Sequence, residues 1–275
     1  MMYRILRKFL AFVIAVVMVV GLVNVWVAPE LKVRAEGGVG EGGVTILATS
    51  GYSFAIRNDG SLWAWGSNWS GQLGDGTTTD QHSPVFVLDD VFSVSASVFS
   101  SSHGSSFMAV RYDGSLYAWG SGVYCQLSNR HLGTQHYPVQ IWDGVLSVSV
   151  GTTHTMVIRA DNSLWGWGEG RLRLGMGSTS PLERGIWTED VRWHWDAVPI
   201  MEDVVFVSAG HSHTMAIRSD GSLWAWGLNN RGQLGNGTTT NQYTPVIIME
   251  NVAFVSAVGN YTMAIKNDGS LWACA

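Results

Sequence analysis

The sequence predicts an all-β fold: a β-propeller of four-stranded antiparallel blades, incomplete, with four full blades and three strands of a fifth. An apolar helix stands before it, outside the fold. Three observations carry this expectation. One heptapeptide motif, Gly-Ser-Leu-Trp-Ala-Trp-Gly, stands at five places along the chain, twice intact and three times as a close relative. Around each copy lie short β-branched or aromatic runs bounded by turn residues. Gly and Trp are abundant, 33 and 14 of 275 residues, while only 13% of residues are charged; that balance suits many tight turns around packed strands and argues against a disordered chain.

The heptapeptide stands at Gly60–Gly66, with relatives at Gly114–Gly120, Asn162–Gly168, Gly221–Gly227 and Gly269–Ala275. A second run precedes each copy: FAIRNDG from Phe54, FMAVRYDG from Phe107, and TMVIRADN, TMAIRSDG and TMAIKNDG from Thr155, Thr214 and Thr262. The Asp-Gly between the two runs marks a tight hairpin, because it readily supplies φ > 0. After the heptapeptide comes a polar loop, GQLGDGTTT at Gly71 and GQLGNGTTT at Gly232. A third apolar run follows, opening at Pro84, Pro138, Val198 and Pro245. A fourth, from Val91, Val145, Val204 and Val252, begins the next unit. Four strands in roughly 50 residues, repeated, is the propeller pattern.

Alternation of side chains along a strand puts Trp63 and Trp65 on one face and Leu62 and Ala64 on the other. One face is bulky and the other shallow, so successive blades can mesh. Eight tryptophans occupy these positions: Trp63, Trp65, Trp119, Trp165, Trp167, Trp224, Trp226 and Trp272. The expected role of this ladder is core packing.

At the GSLWAWG, GQLGDGTTT and HTMAIRSDG segments the chain resembles the regulator of chromosome condensation repeat family, over residues 44–275. The resemblance implies a propeller, seven-bladed in that family, and a role in binding. Its members include a guanine-nucleotide exchange factor and a secreted inhibitor that grips its enzyme through one propeller face. Fold is implied more strongly than function. The chain departs from the pattern in two degenerate units, where Cys125 and Ser128 replace Gly71 and Gly74 and where the third loop reads EGRLRLGMGSTS. At its end Cys274 stands where Trp65 stands in the first unit. That ending reads as a truncated or frame-shifted frame. It predicts an open ring or a strained five-blade closure, with apolar blade faces left at the ends.

Residues 1–35 read as a signal peptide or membrane anchor. Arg4, Arg7 and Lys8 precede an apolar run from Phe9 to Ala28, long enough to cross a bilayer. Val33-Arg34-Ala35 resembles a cleavage site, and a Gly-rich linker, residues 36–43, leads to the repeat domain at 44–275. Either outcome places the repeats outside the cytoplasm, secreted or anchored, with membrane contact only through residues 9–28 if uncleaved. Five of the chain's 16 basic residues lie in 1–35 against one of its 21 acidic ones. The repeat domain is therefore acidic, which opposes binding to nucleic acid.

Two cysteines cannot build a disulfide scaffold. His154 and His213 recur two residues before a Met and are expected to make structural hydrogen bonds to a neighbouring blade. His211-x-His213 offers two imidazoles but no third metal ligand. Asp89-Asp90, Glu202-Asp203 and Glu250-Asn251 mark the turns into new units. No nucleophile elbow or phosphate-cradling loop occurs, so no catalytic residue, metal or cofactor is assigned. The N-x-S/T matches at Asn68, Asn236 and Asn260 are read as chance.

The segment Pro181–Val198 falls in the longest interval between motifs and adds Trp187, Arg192, Trp193, His194 and Trp195 outside the strand pattern. Insertions in repeat arrays gather on one face, often the binding one, and Trp and Arg dominate interface hot spots. These five residues are the candidate partner-binding site. The predicted function is an exported module that recognises an extracytoplasmic protein, such as an enzyme it inhibits. The alternatives are an assembly fragment without activity of its own and an exchange-factor-like regulator.

Overall fold

The computed structural model describes residues 45–48, 51–97, 105–122, 127, 133–177 and 193–274. The apolar segment 9–28 and its cleavage site lie outside them. Among the described residues no helix is long and apolar enough to cross a membrane.

Among the described residues nineteen strands form five antiparallel sheets. The first holds β1 (Thr45–Ala48), β2 (Tyr52–Ile56), β3 (Leu62–Gly66) and β4 (Gln81–Leu88). The second holds β5 (Val91–Ala96), β6 (Ser106–Arg111), β7 (Leu116–Gly120) and β8 (Gln135–Trp142). The third holds β9 (Val145–Val150), β10 (His154–Arg159), β11 (Leu164–Glu169) and β12 (Trp193–Met201), with a helical turn α1 (Arg171–Leu174) between the last two. The fourth holds β13 (Val204–Ala209), β14 (His213–Arg218), β15 (Leu223–Gly227) and β16 (Gln242–Met249). The fifth has three strands, β17 (Val252–Val258), β18 (Tyr261–Lys266) and β19 (Leu271–Cys274). Strand order follows the chain in every sheet, so each blade is a meander. This matches the expected four full blades and three strands of a fifth.

The Asp-Gly hairpins all close alike. Gly60 N–H bonds the Arg57 carbonyl at 2.9 Å, and Gly60 sits at φ 80°. Only the glycine is left-handed; the aspartate before it is not. Asp59 accepts bonds from the Ser61 amide and hydroxyl, and the Ser61 hydroxyl accepts Trp63 Nε1–H at 2.9 Å. Asp161-Asn-Ser, Asp220-Gly-Ser and Asp268-Gly-Ser repeat this relay to Trp165, Trp224 and Trp272. Accepting these bonds holds Asp59, Asp161, Asp220 and Asp268 below the usual carboxylate value. At the turns into new units, Asp90, Asp203 and Asn251 adopt φ of 53–62°, a conformation Asp and Asn tolerate better than most residues. Asp89, Asp90 and Asp203 also pair with Arg111 and Arg218 across the exposed surface.

The blades mesh large onto small, but only one tryptophan of each pair does the meshing. Trp119, Trp167 and Trp226 are fully buried. Trp119 packs among Leu62, Ala64 and Leu73 of the preceding blade, and Trp226 among Leu164, Met156 and Leu174. Each donates its indole N–H to a backbone carbonyl of that blade: Trp119 to Gln72 O at 3.0 Å, Trp226 to Arg173 O at 2.9 Å. The first tryptophan of the motif lies further out, and in three units a cation covers it: Arg57 over the half-buried Trp63, Arg159 over the half-buried Trp165 and Lys266 over the exposed Trp272, with ring-to-cation distances of 5.8 Å.

The first strand of each blade is innermost, and in the second, third and fourth blades a serine there latches the next blade. Ser95 Oγ accepts Val150 N–H, Ser149 Oγ accepts Ala209 N–H, and Ser208 Oγ accepts Ala257 N–H, at 2.9–3.0 Å. Contacts between sheets run from each blade to the next. Among the described residues the first and fifth sheets do not pack together as neighbours do, so the described blades form an open arc. On the outer face of the fifth sheet Met263 and Leu271 are exposed, while their counterparts Met215 and Leu223 in the fourth are buried.

Candidate functional site

Each blade turns its longer connections to one end of the propeller, where the loop from third to fourth strand meets the turn from first to second. In the first and fourth blades that loop is built on a buried asparagine. Asn68 Nδ2 donates to the carbonyls of Thr77 and Thr79, its Oδ1 accepts Leu73 N–H, and its own amide is held by Asp80. Asn229 does the same with Thr238, Thr240, Leu234 and Asn241. These bonds satisfy backbone groups that an irregular loop would otherwise bury unpaired. Asn68, the first residue of an N-x-S sequence, is thus wholly buried.

The third blade departs from this plan. Residues 170–192 stand between β11 and β12 where 67–80, 121–134 and 228–241 stand in the other blades. The single turn α1 puts Leu174 where Leu73 and Leu234 sit, and offers Arg173 O in the place of Gln72 O. Of the candidate binding residues, Trp187 and Arg192 lie outside the described residues. Trp193, His194 and Trp195 open β12, the outermost strand of the blade, with Glu169 opposite Trp193 and Gly168 opposite His194. The insertion therefore leaves and re-enters the fold at one corner of the third blade.

Beside that corner lies a polar array that no sequence motif marks. Arg173 pairs with Glu169 at 3.3 Å and donates from Nε to Ser212 Oγ at 3.2 Å. His211 Nδ1 lies 3.0 Å from Thr152 Oγ1. Burial holds the His211 imidazole below its ordinary pKa, and the Arg173 charge adds to the effect. The signal in the sequence was the broken loop motif EGRLRLG, where two arginines enter a segment that is uncharged in GQLG.

His154 and His213 lie deeper and face the following blade, as their recurrence predicts. His154 Nε2 meets Thr214 Oγ1 at 2.9 Å, and His213 Nε2 meets Thr262 Oγ1 at 2.9 Å. Each threonine hydroxyl donates onward, Thr214 to Arg173 O and Thr262 to Gln233 O. The hydroxyl oxygens therefore accept, which assigns the proton of each neutral ring to Nε2. Both Nδ1 atoms are buried without a partner. Burial, with the charges of Arg173, His213 and His211, lowers His154 to about 3. Burial, with His211, lowers His213 to about 4. Neutral rings bonded to threonine are structural pins between blades. Cys274 is a free thiol whose pKa burial raises; Cys125 lies outside the described residues.

Comparison with known families follows the same units. Residues 59–109, 113–158 and 220–265 match the Regulator of chromosome condensation (RCC1) repeat, and residues 204–233 match a second description of that repeat. The chain belongs to the RCC1-repeat family. Among curated relatives, the RCC1-repeat chain is 30% identical to the ultraviolet-B receptor UVR8 of Arabidopsis thaliana over 211 residues, covering 74% of this chain and 45% of the receptor. It is 31% identical to the mitochondrial RCC1 domain-containing protein RUG3 of the same plant, covering 68% of this chain and 42% of RUG3. It is 28% identical to human E3 ubiquitin-protein ligase HERC2, covering 74% of this chain and 4% of the ligase. The chain thus spans less than half the length of these relatives. Among solved structures, yeast RCC1 (Prp20) in its complex with Kap60 superposes with a TM-score of 0.67 at 18% identity, covering 84% of this chain and 56% of that one. Human WBSCR16 gives 0.64 at 22% identity, covering 80% and 57%. These likenesses establish the propeller fold.

Proposed function

We propose that this RCC1-repeat chain is an exported binding module that recognises an extracytoplasmic protein partner, as an inhibitor grips its enzyme, through the corner of the third blade. The observation that carries the reading is the insertion of residues 170–192 at the loop end, directly beside the Glu169–Arg173–Ser212 array. A rigid five-blade scaffold holds that corner, and loops on rigid scaffolds are where repeat proteins place recognition. Support also comes from propeller neighbours described in protein complexes: yeast RCC1 bound to Kap60, and Prp20p with binding to Gsp1p and histones. Those partners belong to those proteins. Export is proposed from the basic flank and apolar run of residues 1–28.

The test is site-specific photo-crosslinking in the producing cell. A crosslinker placed in turn at Trp187, Arg192, Trp193, His194 and Trp195 should yield one discrete protein adduct; one placed at Phe86 or Ile247, exposed on outer strands, should not. Equal adducts from both sets, or none from the insertion, would overturn the site. Protease added to intact cells or their periplasm should cut the repeat domain. Protection until cytoplasmic lysis would overturn export.

A second reading, an assembly piece, has its own observation: Tyr261, Met263 and Leu271 lie exposed on the fifth sheet. Light scattering separates the two readings. A monomer favours recognition through the third blade; a defined oligomer that L271E dissolves favours assembly.

A further inference from the structure

The end of the propeller opposite the insertion is made of the strand-two to strand-three hairpins and of the turns that lead into each new blade. Hairpins and turns alternate along the arc and are hydrogen-bonded to one another. Val91 N–H bonds Gly60 O, Tyr112 N–H bonds Asp90 O and Val145 N–H bonds Gly114 O, and the series runs on to Asn267 N–H on Asn251 O, all at 2.7–2.9 Å. At the inner edge of this belt the first strand of four blades carries a bulge at the same place. Val91 and Ser93 pair with Arg111 and Val110, which leaves Phe92 as the extra residue. Leu146, Val205 and Ala253 are the extra residues of the next three blades. A bulge re-aims the side chain that it carries. All four residues are apolar, and Leu146, Val205 and Ala253 are exposed. Tyr112, itself exposed, packs edge-on against Phe92 with ring centroids 5.6 Å apart. Apolar side chains turned to water at one repeated position form a patch rather than a scatter.

The surround of the patch is acidic. The hairpins supply Asp59, Asp113, Asp161, Asp220 and Asp268, all exposed. The turns supply Asp89, Asp90, Asp143, Glu202, Asp203 and Glu250, also exposed. Against these eleven carboxylates the same end carries five cations among the described residues, Arg57, Arg111, Arg159, Arg218 and Lys266, an excess of six negative charges. The cations are already engaged. Arg111 holds Asp89 and Asp90, and Arg218 holds Asp203, while Arg57, Arg159 and Lys266 lie over tryptophan rings. Asp143, Glu202 and Glu250 are in none of these pairs, and each stands three residues before a bulge residue, Leu146, Val205 and Ala253. An apolar patch inside a polar rim is the form of a protein-docking surface, and the sign of the rim selects the partner, repelling like charge and steering the opposite. We propose that the inner part of the hairpin end docks a lysine- or arginine-rich polypeptide segment, which sets an apolar side chain on Leu146 and Val205 and turns its cations to Asp143, Glu202 and Glu250. This surface lies at the other end of the blades from residues 170–192, and so stands independently of the partner site proposed above.

The full-length chain is titrated with a fluorescein-labelled peptide of lysine and leucine, with lysine–alanine and glutamate–leucine peptides of the same length for comparison, and fluorescence anisotropy reads Kd. The lysine–leucine peptide should bind saturably and on the order of tenfold more tightly than the lysine–alanine peptide, and the glutamate–leucine peptide should not bind. D143N/E202Q/E250Q should weaken binding on the order of tenfold and flatten its dependence on salt. L146S/V205S should weaken it on the order of tenfold with the salt dependence kept. I247S, which alters an exposed apolar residue on the outer strand β16, should bind as the wild type does. No saturable binding, equal affinity for the lysine–leucine and lysine–alanine peptides, or a loss in I247S as large as that in L146S/V205S would each overturn the proposal. The peptide comparison uses the unaltered chain and stands even if a variant fails to fold.

Discussion

Acid should loosen this arc well above the pH at which its carboxylates titrate, and two histidines set the scale. In the unfolded chain each imidazole takes a proton near pH 6.5. In the fold the charged form is excluded down to about 3 at His154 and about 4 at His213. Between these limits the unfolded chain holds more protons, so the contribution of each ring is complete above pH 6.5 and drains as pH falls through it. Going from pH 7 to pH 5 passes 1.5 units below 6.5, worth about 2 kcal/mol per histidine at 1.36 kcal/mol per unit. The pair then costs about 4 kcal/mol, a large part of the 5–15 kcal/mol typical of a folded domain. The shifted carboxylates, Asp59, Asp161, Asp220 and Asp268 among them, lie below 3.8 and leave this window to the histidines. The assay is urea unfolding at pH 7 and pH 5 of the wild type and of H154Q/H213Q, in which glutamine can still donate to Thr214 and Thr262. The wild type should lose about 4 kcal/mol more than the double variant between the two pH values. Equal losses would refute the claim that these rings are buried neutral.

Three further outcomes follow from the packing. W226A should cost about 3–5 kcal/mol, since it removes a fully buried ring, whereas W63A, half-buried under Arg57, should cost about 1 kcal/mol; equal midpoint shifts in urea would refute the split between inner and outer tryptophans. N229A should cost at least about 2 kcal/mol, because Thr238 O, Thr240 O and Leu234 N–H lose their partner, and thermal unfolding reads it. G76A should cost about 1 kcal/mol from backbone strain alone at φ 82°, with open space around it, while G74A adds a clash with Trp119; G74A unfolding at the same temperature as G76A would contradict the seating of the indole.

The blades were legible because the Leu-Trp-Ala-Trp run recurs and the hairpins before it carry Asp-Gly or Asp-Asn at one offset. The histidine pins were legible because they recur at that offset. The division of labour between Trp165 and Trp167 was not. Alternation puts both on one face, and only the position of the neighbouring blade decides which ring is enclosed and which is left for Arg159 to cover. Asn68 and Asn229 were hidden because a lone polar residue in a loop looks like any solvated turn until its backbone partners are known. The latching serines were hidden for a related reason: Ser95, Ser149 and Ser208 sit in runs that read as small and apolar, and their partners are amide groups, which carry no sequence signature. The candidate site was legible only as an insertion, since Arg173 and Glu169 meet through a helical turn that replaces the usual loop.

The serine latches have a mechanical meaning. Each one ties an inner strand to the next strand only, and contacts between sheets likewise run from blade to neighbour. Energies in such arrays add link by link. A pull on the ends of the arc would load these junctions in series, so the weakest would part first and the blades would separate one after another.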